Sequence, residues 1–385
     1  MSAEIESNRL LSLDVFRGMT IAGMVLVNNP GTWSQIYSPL KHAEWHGATP
    51  TDFVFPFFLF IVGISITLAL GKRVESGGIN RDIYTKILRR ALIIFALGLF
   101  LAAFPFYNFS KGEWFDISNL RIMGVLQRIA VCYFVASLIF IRTNWKQQAT
   151  IAGALLLVYW ALMTLISVPG CEVATFNDKA CNLAAYLDRV ILTENHIWKS
   201  SKVFDPEGVL STIPAIATTL AGVLCGHWLR SRRDDYERVA AMFFFGVILT
   251  ALGWAWNFWF PINKSLWTSS YVLYTAGLAL CFLGICYWLV DIKNYKRWAK
   301  PFVIFGVNAL ALFVFSGLMA KLFGIIRVGA DAEGKSIPLQ KWIFDSIFMP
   351  FASAINASLM YAISYIILWL FLMWLLYRKR IYIKV

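Results

Sequence analysis

Residues 51–71 read TDFVFPFFLFIVGISITLALG, and this stretch decides the class of fold. Asp52 is its single charged residue, and the positions that follow are almost all apolar. A run of about 20 apolar residues is long enough for a helix to cross the roughly 30 Å hydrocarbon core of a bilayer. The stretch therefore predicts a membrane-spanning helix.

Similar apolar runs recur along the whole chain. Hydrophobic residues make up 59% of the 385 positions and charged residues 15%, whereas a soluble domain carries about 25% charged residues. This composition argues against a soluble globular enzyme. We predict an all-α integral membrane protein with about ten transmembrane helices. The predicted spans are approximately residues 12–30, 51–71, 89–105, 121–141, 149–168, 208–229, 239–260, 269–290, 301–323 and 355–377.

Basic residues concentrate in alternate connections between these runs and in the C-terminal tail. The net charge is +13, which would suggest nucleic acid if the surplus lay on a soluble face. Here it follows the positive-inside pattern of cytoplasmic loops, so we expect no nucleic-acid partner and place both termini in the cytoplasm. The basic residues of this predicted inner side are Lys72, Arg73, Arg81, Lys86, Arg89, Arg90, Arg142, Lys146, Arg230, Arg232, Arg233, Arg238, Lys293, Lys296, Arg297, Lys300, Arg378, Lys379, Arg380 and Lys384, whereas the short outer loops carry Lys41, Lys111 and Lys264.

The whole chain, residues 1–385, is predicted to form one transmembrane domain. Two outer loops are long, at about residues 169–207 and 324–354. Cys171 and Cys181 share the first of them, where an oxidising compartment permits a disulfide. The four histidines show no paired ligand spacing, so no metal site is expected.

Ionisable residues inside predicted spans are costly in hydrocarbon and are the first functional candidates. Asp14 and Arg17 lie three residues apart, so they share a helix face. They form either a helix-end ion pair or a place where Arg17 helps to receive an anionic ligand. Arg121 and Arg128 are seven residues apart, which predicts nearly the same face of the fourth span, with Gln127 beside them. These arginines require some anionic partner, either protein or ligand.

The stretch from Asn28 to Asp52 contains the strongest candidates for chemistry. Its loop holds His42, Trp45 and His46 and returns directly into the second span. A single loop histidine is usually a surface residue. Two histidines with an asparagine, a tryptophan and an aspartate, all packed against the membrane face, indicate a candidate catalytic site.

Further polar residues lie at span ends or within spans. Asp205 and Glu207 precede the sixth span, Asn263 follows the seventh, and Asn308 lies in the ninth. Hydrogen bonds between helices explain most such residues. Together the polar residues outline a pathway that is basic inside and carries histidine outside. This pathway fits a transporter, or a membrane enzyme that holds a charged cofactor on the basic side and reacts it at the histidine.

Several sequence blocks, in order, resemble a known family. They read Arg9-Leu-x-Ser-Leu-Asp14-x-Phe-Arg17-Gly18, Val27-Asn28, His42-Ala43-x-Trp45, Asp52-x-Val-Phe-Pro56, Leu120-Arg121-Ile-x-Gly124-Val-Leu-Gln127-Arg128, Phe204-Asp205-Pro206-Glu207-Gly208 and Pro261-Ile-Asn263-Lys264-x-Leu-Trp267-Thr268. This series is similar to the heparan-α-glucosaminide N-acetyltransferase family of transmembrane acyltransferases, and the last block is typical of its bacterial members.

The resemblance implies an enzyme that takes acetyl-CoA from the cytoplasm and acetylates the amine of a terminal glucosamine on the far side. It maps the catalytic histidine onto His42 and the helix-end asparagine onto Asn28, while Asp52 orients His42 or binds the acceptor's ammonium group. His42 then acts either as a nucleophile or as a general base. Small amino sugars such as glucosamine or cell-wall fragments are the expected acceptors. The alternatives are a sugar or ion transporter and a polysaccharide O-acyltransferase.

The resemblance also divides the remaining candidates between the two substrates. The phosphates of CoA cannot enter hydrocarbon, so the nucleotide should dock among inner basic residues while the pantetheine arm threads inward. It further implies a bacterial inner membrane, contact with membrane lipid and, from the lysosomal relatives, a homodimer. The expected CoA-binding residues are Asp14, Arg17, Arg89, Arg90, Gln127, Arg128, Arg230 and Asn308, and the expected substrate-binding residues are Trp45, His46, Arg121, Asp205, Glu207 and Asn263.

Overall fold

The computed structural model describes residues 10–109, 112–171, 175–330, 334 and 336–383. Arg9, Lys111 and Lys384 lie outside these ranges. Helices dominate the described chain. They are α1 (Leu11–Asn28), α2 (Val54–Glu75), α3 (Arg81–Ala103), α4 (Val125–Arg142), α5 (Trp145–Leu165), α6 (Leu183–Ile191), α7 (Thr212–Leu229), α8 (Asp235–Trp256), α9 (Ser269–Tyr287), α10 (Lys300–Val307), α11 (Ala309–Ile325), α12 (Leu339–Ile343) and α13 (Ala354–Arg378).

Eight helices of the described chain are long and apolar enough to cross a membrane, and the bent pair α10–α11 makes a ninth if it is one span. This confirms the predicted class, an all-α membrane protein. The predicted span at 89–105 corresponds to α3, which begins earlier than expected. Its first turns carry Arg81, Asp82 and Lys86, so α3 is less apolar than the other long helices. The count of ten spans therefore stays a prediction.

Two further predicted spans differ from the observed helices. The span expected at 121–141 begins at Val125, with Gly124 in extended conformation before it. Arg121 therefore lies in the segment that leads into α4, and the prediction that it shares a helix face with Arg128 is wrong. Glycine has no side chain to favour helical backbone, and its conformational freedom makes it a poor helix residue.

The span expected at 301–323 is broken at Asn308, where α10 and α11 meet at an angle of 83°. The Asn308 side chain bonds the backbone of the C-terminal tail at the break. Its amide nitrogen donates to the Ile381 carbonyl at 3.0 Å, and its oxygen accepts from the Ile383 N–H at 2.9 Å. The tail thereby packs beside the broken helix instead of leaving it.

Close backbone contacts hold the central helices together. Gly63 in α2 faces Thr219 in α7, and Gly222 in α7 faces Phe60 in α2. A Cβ atom added to either glycine would overlap the carbonyl oxygen of the opposite residue. Small residues let helices in a membrane approach closely enough to gain dispersion contacts along their length. The pair α2–α7 is consequently a rigid support for the loop that precedes α2.

The two long loops carry short ordered elements. The first contains α6 and the predicted disulfide, which the structure confirms between Cys171 and Cys181. The second contains a strand pair, Arg327–Val328 with Ile337–Pro338, followed by α12 and a π-helical turn. A second strand pair, Tyr107–Asn108 with Glu113–Trp114, follows α3. The first long loop packs against the segment that contains His42, as described next.

Candidate active site

The turn that starts α2 fixes Asp52 in place. The Thr49 N–H and hydroxyl both donate to Asp52 Oδ2, at 3.0 and 3.1 Å, and the Ala43 N–H donates to the same oxygen at 3.0 Å. Asp52 is buried. Three donors therefore occupy one carboxylate oxygen, and the other oxygen is directed to His42.

His42 and Asp52 form a hydrogen-bonded pair. The His42 Nδ1 atom lies 2.6 Å from Asp52 Oδ1. An ionised carboxylate only accepts hydrogen bonds, so Nδ1 must carry the proton in the neutral ring. That tautomer leaves Nε2 unprotonated, as a nucleophile or a general base requires. The His42 side chain is 49% exposed and that of Asp52 is 1% exposed, so the pair presents the imidazole to a ligand.

Lys264 joins this pair, and sequence reasoning did not place it in the site. Its Nζ atom lies 3.0 Å from His42 Nδ1 and 3.4 Å from Asp52 Oδ1. Lys264 is 222 residues from His42 along the chain, so their contact depends on how α8 and α9 pack. The sequence feature that could have indicated Lys264 is its charge, since it belongs to the Pro261–Thr268 block in an outer loop with few charged residues.

The pair opens into a cavity of about 640 Å³, which we name the histidine cavity. The predicted residues Asn28, Trp45, Arg121 and Glu207 line it. Asn28 reaches it because it is the last residue of α1. Lys264 also lines the cavity. The cavity thus combines an imidazole, amide, carboxylate and cationic groups with an aromatic ring, a set suited to a polar ligand.

Arg121, Asp205 and Glu207 form an ionic network beside the histidine cavity. The Arg121 Nε atom donates to Asp205 Oδ2 at 2.8 Å, and its Nη2 atom donates to Glu207. Burial works to lower the pKa of Arg121, but the Glu207 and Asp205 carboxylates outweigh it and raise that pKa above its usual range. Arg121 therefore stays charged, with its predicted carboxylate neighbours as the anionic partners.

Asp188 supports this network from α6 and was absent from the predicted site. Its carboxylate accepts hydrogen bonds from the N–H groups of Asp205 at 3.2 Å and Val209 at 2.9 Å. Burial raises the pKa of Asp188 to about 6. Because its bonds go to the backbone, Asp188 shapes the Asp205–Val209 segment without contributing to the cavity wall.

The disulfide loop covers the other side of the histidine segment. Trp45 Nε1 donates to the Phe176 carbonyl at 3.0 Å, and His46 Nε2 lies 3.0 Å from Asn177 Oδ1. Asn263 is buried, and its amide lies 3.4 Å from His46 Nδ1. Of the predicted substrate-binding residues, His46 and Asn263 thus contact the protein framework, whereas Trp45 also lines the cavity.

A second cavity, of about 780 Å³, opens at the opposite ends of the same helices; we name it the basic cavity. Arg17 bonds Asp14 at 3.1 Å and Ser65 at 2.9 Å on its wall. The ion pair is therefore confirmed, and because it lines the cavity, the role of Arg17 in receiving an anionic ligand stays a prediction. The charged residues of its lining are Asp14, Arg17, Arg73, Lys86, Arg89 and Arg90. Arg73 and Lys86 were recognised from the sequence as basic loop residues and not as site residues.

Four of the predicted CoA-binding residues are not among the residues that line the basic cavity. Gln127 lines a separate cavity of about 350 Å³. Arg128 is fully buried, donates to the Gly208 carbonyl at 3.1 Å and lies over the Trp267 ring. Arg230 is bonded to Glu75 at 2.7 Å, and Asn308 holds the tail. Gln127 and Arg128 do not line the basic cavity because they lie in the first turn of α4, which begins beside the histidine cavity. The residues of α4 that line the basic cavity follow from Ile129 onward.

About one helical turn separates the two cavities. On each of three helices, a residue of the histidine cavity lies three or four positions from a residue of the basic cavity. One turn of α-helix rises about 5.4 Å. We name these six apolar residues the floor: Val54 with Phe58 on α2, Val125 with Ile129 on α4, and Phe313 with Leu310 on α11.

The fold and these cavities define a helical membrane protein in which a cavity with a histidine–aspartate pair adjoins a cavity lined by basic residues. The sequence model described as heparan-alpha-glucosaminide N-acetyltransferase, catalytic, matches residues 9–254. The chain belongs to this family, which confirms the resemblance seen in the sequence blocks. The matched region includes Asn28, His42 and Asp52 and ends before Lys264.

Two individual relatives agree with this assignment. The heparan-alpha-glucosaminide N-acetyltransferases of Mus musculus and Homo sapiens are each 29% identical to this chain over 98% of its length. The alignments cover 61% of the mouse protein and 60% of the human protein. The chain thus spans about three fifths of the length of these relatives.

Proposed function

We propose that this protein is a transmembrane acetyltransferase that moves the acetyl group of acetyl-CoA to the amine of a glucosamine-type sugar through His42. One observation carries the proposal: the basic cavity and the histidine cavity meet end to end across the apolar floor. The names of the two relatives support an amino-sugar acceptor, since both are glucosaminide N-acetyltransferases.

The basic cavity is the proposed site of the CoA nucleotide. Charge-assisted hydrogen bonds from arginine and lysine are the usual means of holding phosphates. The positive-inside distribution supports a cytoplasmic position for this cavity and an outer position for the histidine cavity, in a bacterial inner membrane. The thin pantetheine arm then has to pass the floor, while neither the nucleotide nor the sugar crosses it. The residues proposed for the phosphates are Arg17, Arg73, Lys86, Arg89 and Arg90.

His42 Nε2 serves either of two routes. In the first, it attacks the thioester carbonyl, the carbon–sulfur bond breaks, CoA leaves as the thiolate, and the sugar amine captures the acetyl-imidazole. In the second, it removes a proton from the sugar ammonium, and the resulting amine attacks the thioester directly. The carbon–sulfur bond breaks, CoA leaves as the thiol after taking that proton from the ring, and the amide nitrogen releases its second proton to solvent. Asp52 stabilises the tautomer and the cationic ring in both routes. Asn28 is the proposed hydrogen-bond donor to the oxyanion, and loss of such a donor costs about 10²–10³ in rate.

Acetyl transfer by the purified protein in detergent tests the proposal. Wild type, His42→Ala and His46→Ala are compared with labelled acetyl-CoA and glucosamine. We expect product from wild type and His46→Ala and none from His42→Ala. Acetylated enzyme trapped by denaturation, and absent from His42→Ala, would identify the first route. Equal product from His42→Ala and wild type would overturn the role of His42.

Two rival functions make different predictions in the same preparation. A polysaccharide O-acyltransferase would accept a sugar whose amine is blocked, whereas the proposed enzyme would not. The break between α10 and α11 is a feature shared with secondary transporters, and a transporter would carry sugar into liposomes without acetyl-CoA. The first result would replace the proposed acceptor chemistry, and the second would replace the proposed enzyme function.

We also propose that membrane lipid covers the outward faces of the long helices. Phe244 and Trp254 on α8 and Phe371 on α13 are exposed apolar side chains, as expected where hydrocarbon is the solvent. A homodimer stays a prediction; mass measurement in detergent or nanodiscs tests it.

A further inference from the structure

Lys264 is held by a closely bonded turn between α8 and α9. The Thr268 Oγ1 atom accepts from the Asn263 N–H at 3.0 Å, and the Asn263 carbonyl accepts from the Thr268 N–H at 3.1 Å. The turn is tied to the segment that contains His42, because the Gly47 N–H donates to the Ile262 carbonyl at 2.7 Å. The backbone of Lys264 is thereby fixed relative to the histidine.

The Lys264 ammonium lies beside the ring nitrogen that faces Asp52. Its distances are 3.0 Å to His42 Nδ1 and 3.4 Å to Asp52 Oδ1. Nδ1 already donates its proton to Asp52, so the ammonium interacts favourably with the carboxylate and unfavourably with any positive charge on the ring. At such distances the repulsion between like charges is large enough to shift a protonation equilibrium.

The other charges around the histidine cavity do not duplicate Lys264. Glu207 is bonded to Arg121, and Lys179 lies over the Trp45 ring. Burial lowers the pKa of Lys264, and Asp52 and Glu207 oppose that change. The charged residues that line this cavity are Glu44, Asp52, Arg121, Lys179, Glu207 and Lys264.

We propose that Lys264 is a positioning residue whose ammonium disfavours protonation of His42 and so keeps Nε2 available for the reaction. Its role in turnover rests on the proposed acetyl transfer, whereas its effect on the ring does not. Asp52 alone would stabilise the protonated, cationic ring. Lys264 shares the Asp52 carboxylate and offsets that stabilisation. The histidine–aspartate pair therefore keeps its orientation, while the imidazole ring gains less affinity for a second proton. No bond to Lys264 forms or breaks.

The test measures the availability of Nε2 directly, in the full chain in detergent. Diethyl pyrocarbonate acylates neutral imidazole, and mass spectrometry of the His42 peptide gives the initial modification rate at each pH. The variants are Lys264→Met, which removes the charge, and Lys264→Arg, which retains it. Lys41→Met is the matched control, since it removes an exposed charge one residue from His42. Thermal unfolding identifies any variant that fails to fold.

We expect the midpoint of the modification rate to move to higher pH by about one unit in Lys264→Met, and by much less in Lys264→Arg and Lys41→Met. If wild type acetylates glucosamine, the acidic limb of kcat/KM should move in parallel. An unchanged midpoint in folded Lys264→Met, or an equal shift in Lys41→Met, would overturn the proposal. A shifted midpoint in a protein without acetyl transfer would support Lys264 and refute the proposed function.

Discussion

Asp52 uses its two carboxylate oxygens for different purposes. Oδ2 accepts three hydrogen bonds from Thr49 and Ala43, and Oδ1 faces His42 Nδ1 and Lys264 Nζ. The first set fixes the carboxylate at the start of α2, and the second sets the ring tautomer. A residue of the turn that starts α2 is therefore also the anchor of the proposed catalytic pair.

Replacement of Asp52 by asparagine should reduce turnover strongly while the fold persists. Asparagine keeps the shape but removes the charge, so it no longer stabilises a cationic ring and can hold the ring in the wrong tautomer. We expect kcat to fall by about 10²–10⁴, with acetyl-CoA binding, measured by calorimetry, close to wild type. Turnover equal to that of wild type would contradict the role of the pair.

Asp188 should make stability depend on pH. Its folded-state pKa of about 6 is above the value of about 3.9 for an exposed aspartate, so the folded state binds its proton more tightly. The contribution of Asp188 is therefore fully present below about pH 4 and declines as pH rises through about 6. The stability of wild type relative to Asp188→Asn, measured as a difference in Tm, should decrease between pH 4 and 7. A difference that is constant over this range would contradict the assignment.

At the scale of elements, helix ends and close helix contacts decide where the site residues lie. Gly124 delays the start of α4 and leaves Arg121 free to bond Asp205 and Glu207. Gly63 and Gly222 bring α2 and α7 into backbone contact. These contacts hold the start of α2, and with it Asp52, against the rest of the bundle.

A methyl group at Gly63 should therefore destabilise the protein. The Gly63→Ala variant would place Cβ against the Thr219 carbonyl, and overpacking of this kind costs about 1–3 kcal/mol. Gly153→Ala in α5 is the control, because its Cβ would meet nothing within 4 Å, and alanine is the better helix former. Thermal unfolding in detergent should show a lower Tm for Gly63→Ala alone. Equal Tm values for the two variants would show that the contact is not tight.

At the scale of the whole molecule, the arrangement of the two cavities matters more than either cavity alone. The floor separates a basic side from a histidine side by one helical turn, and one of its three helices, α11, begins at the break beside Asn308. In the proposed reaction, a barrier of this thickness keeps the two substrates apart and still lets the pantetheine arm pass. The proposed reaction depends on that combination.

A larger side chain in the floor should separate binding from transfer. The Leu310→Trp variant adds bulk between the cavities, so we expect CoA to bind in the basic cavity while acetyl transfer falls at least tenfold. Leu322→Trp is the control, because Leu322 is an exposed residue of the same helix. Binding by calorimetry and transfer from labelled acetyl-CoA report the two steps. Normal transfer by Leu310→Trp would show that the acetyl group takes another path.

The sequence by itself determined the membrane class and most of the long helices, and it made the two cysteines of one loop, and His42 with Asp52, candidate partners. These follow from local or near-local properties: apolar run length, the cysteines of one loop, and a loop that returns directly into α2. The basic character of one side was also readable, because Lys86, Arg89 and Arg90 cluster in the pattern of cytoplasmic loops.

Only the tertiary structure decided which polar residues meet. Lys264 reaches His42 because α8 and α9 pack together. Arg128 bonds the Gly208 carbonyl because the first turn of α4 lies beside the segment that precedes α7. Asn308 lies at a break within the apolar run 301–323. Hydropathy does not reveal this break, because it records composition and not the direction of the helix axis. Contacts between residues far apart in the chain depend on the orientation of whole helices. Residue spacing within one run carries no record of that orientation.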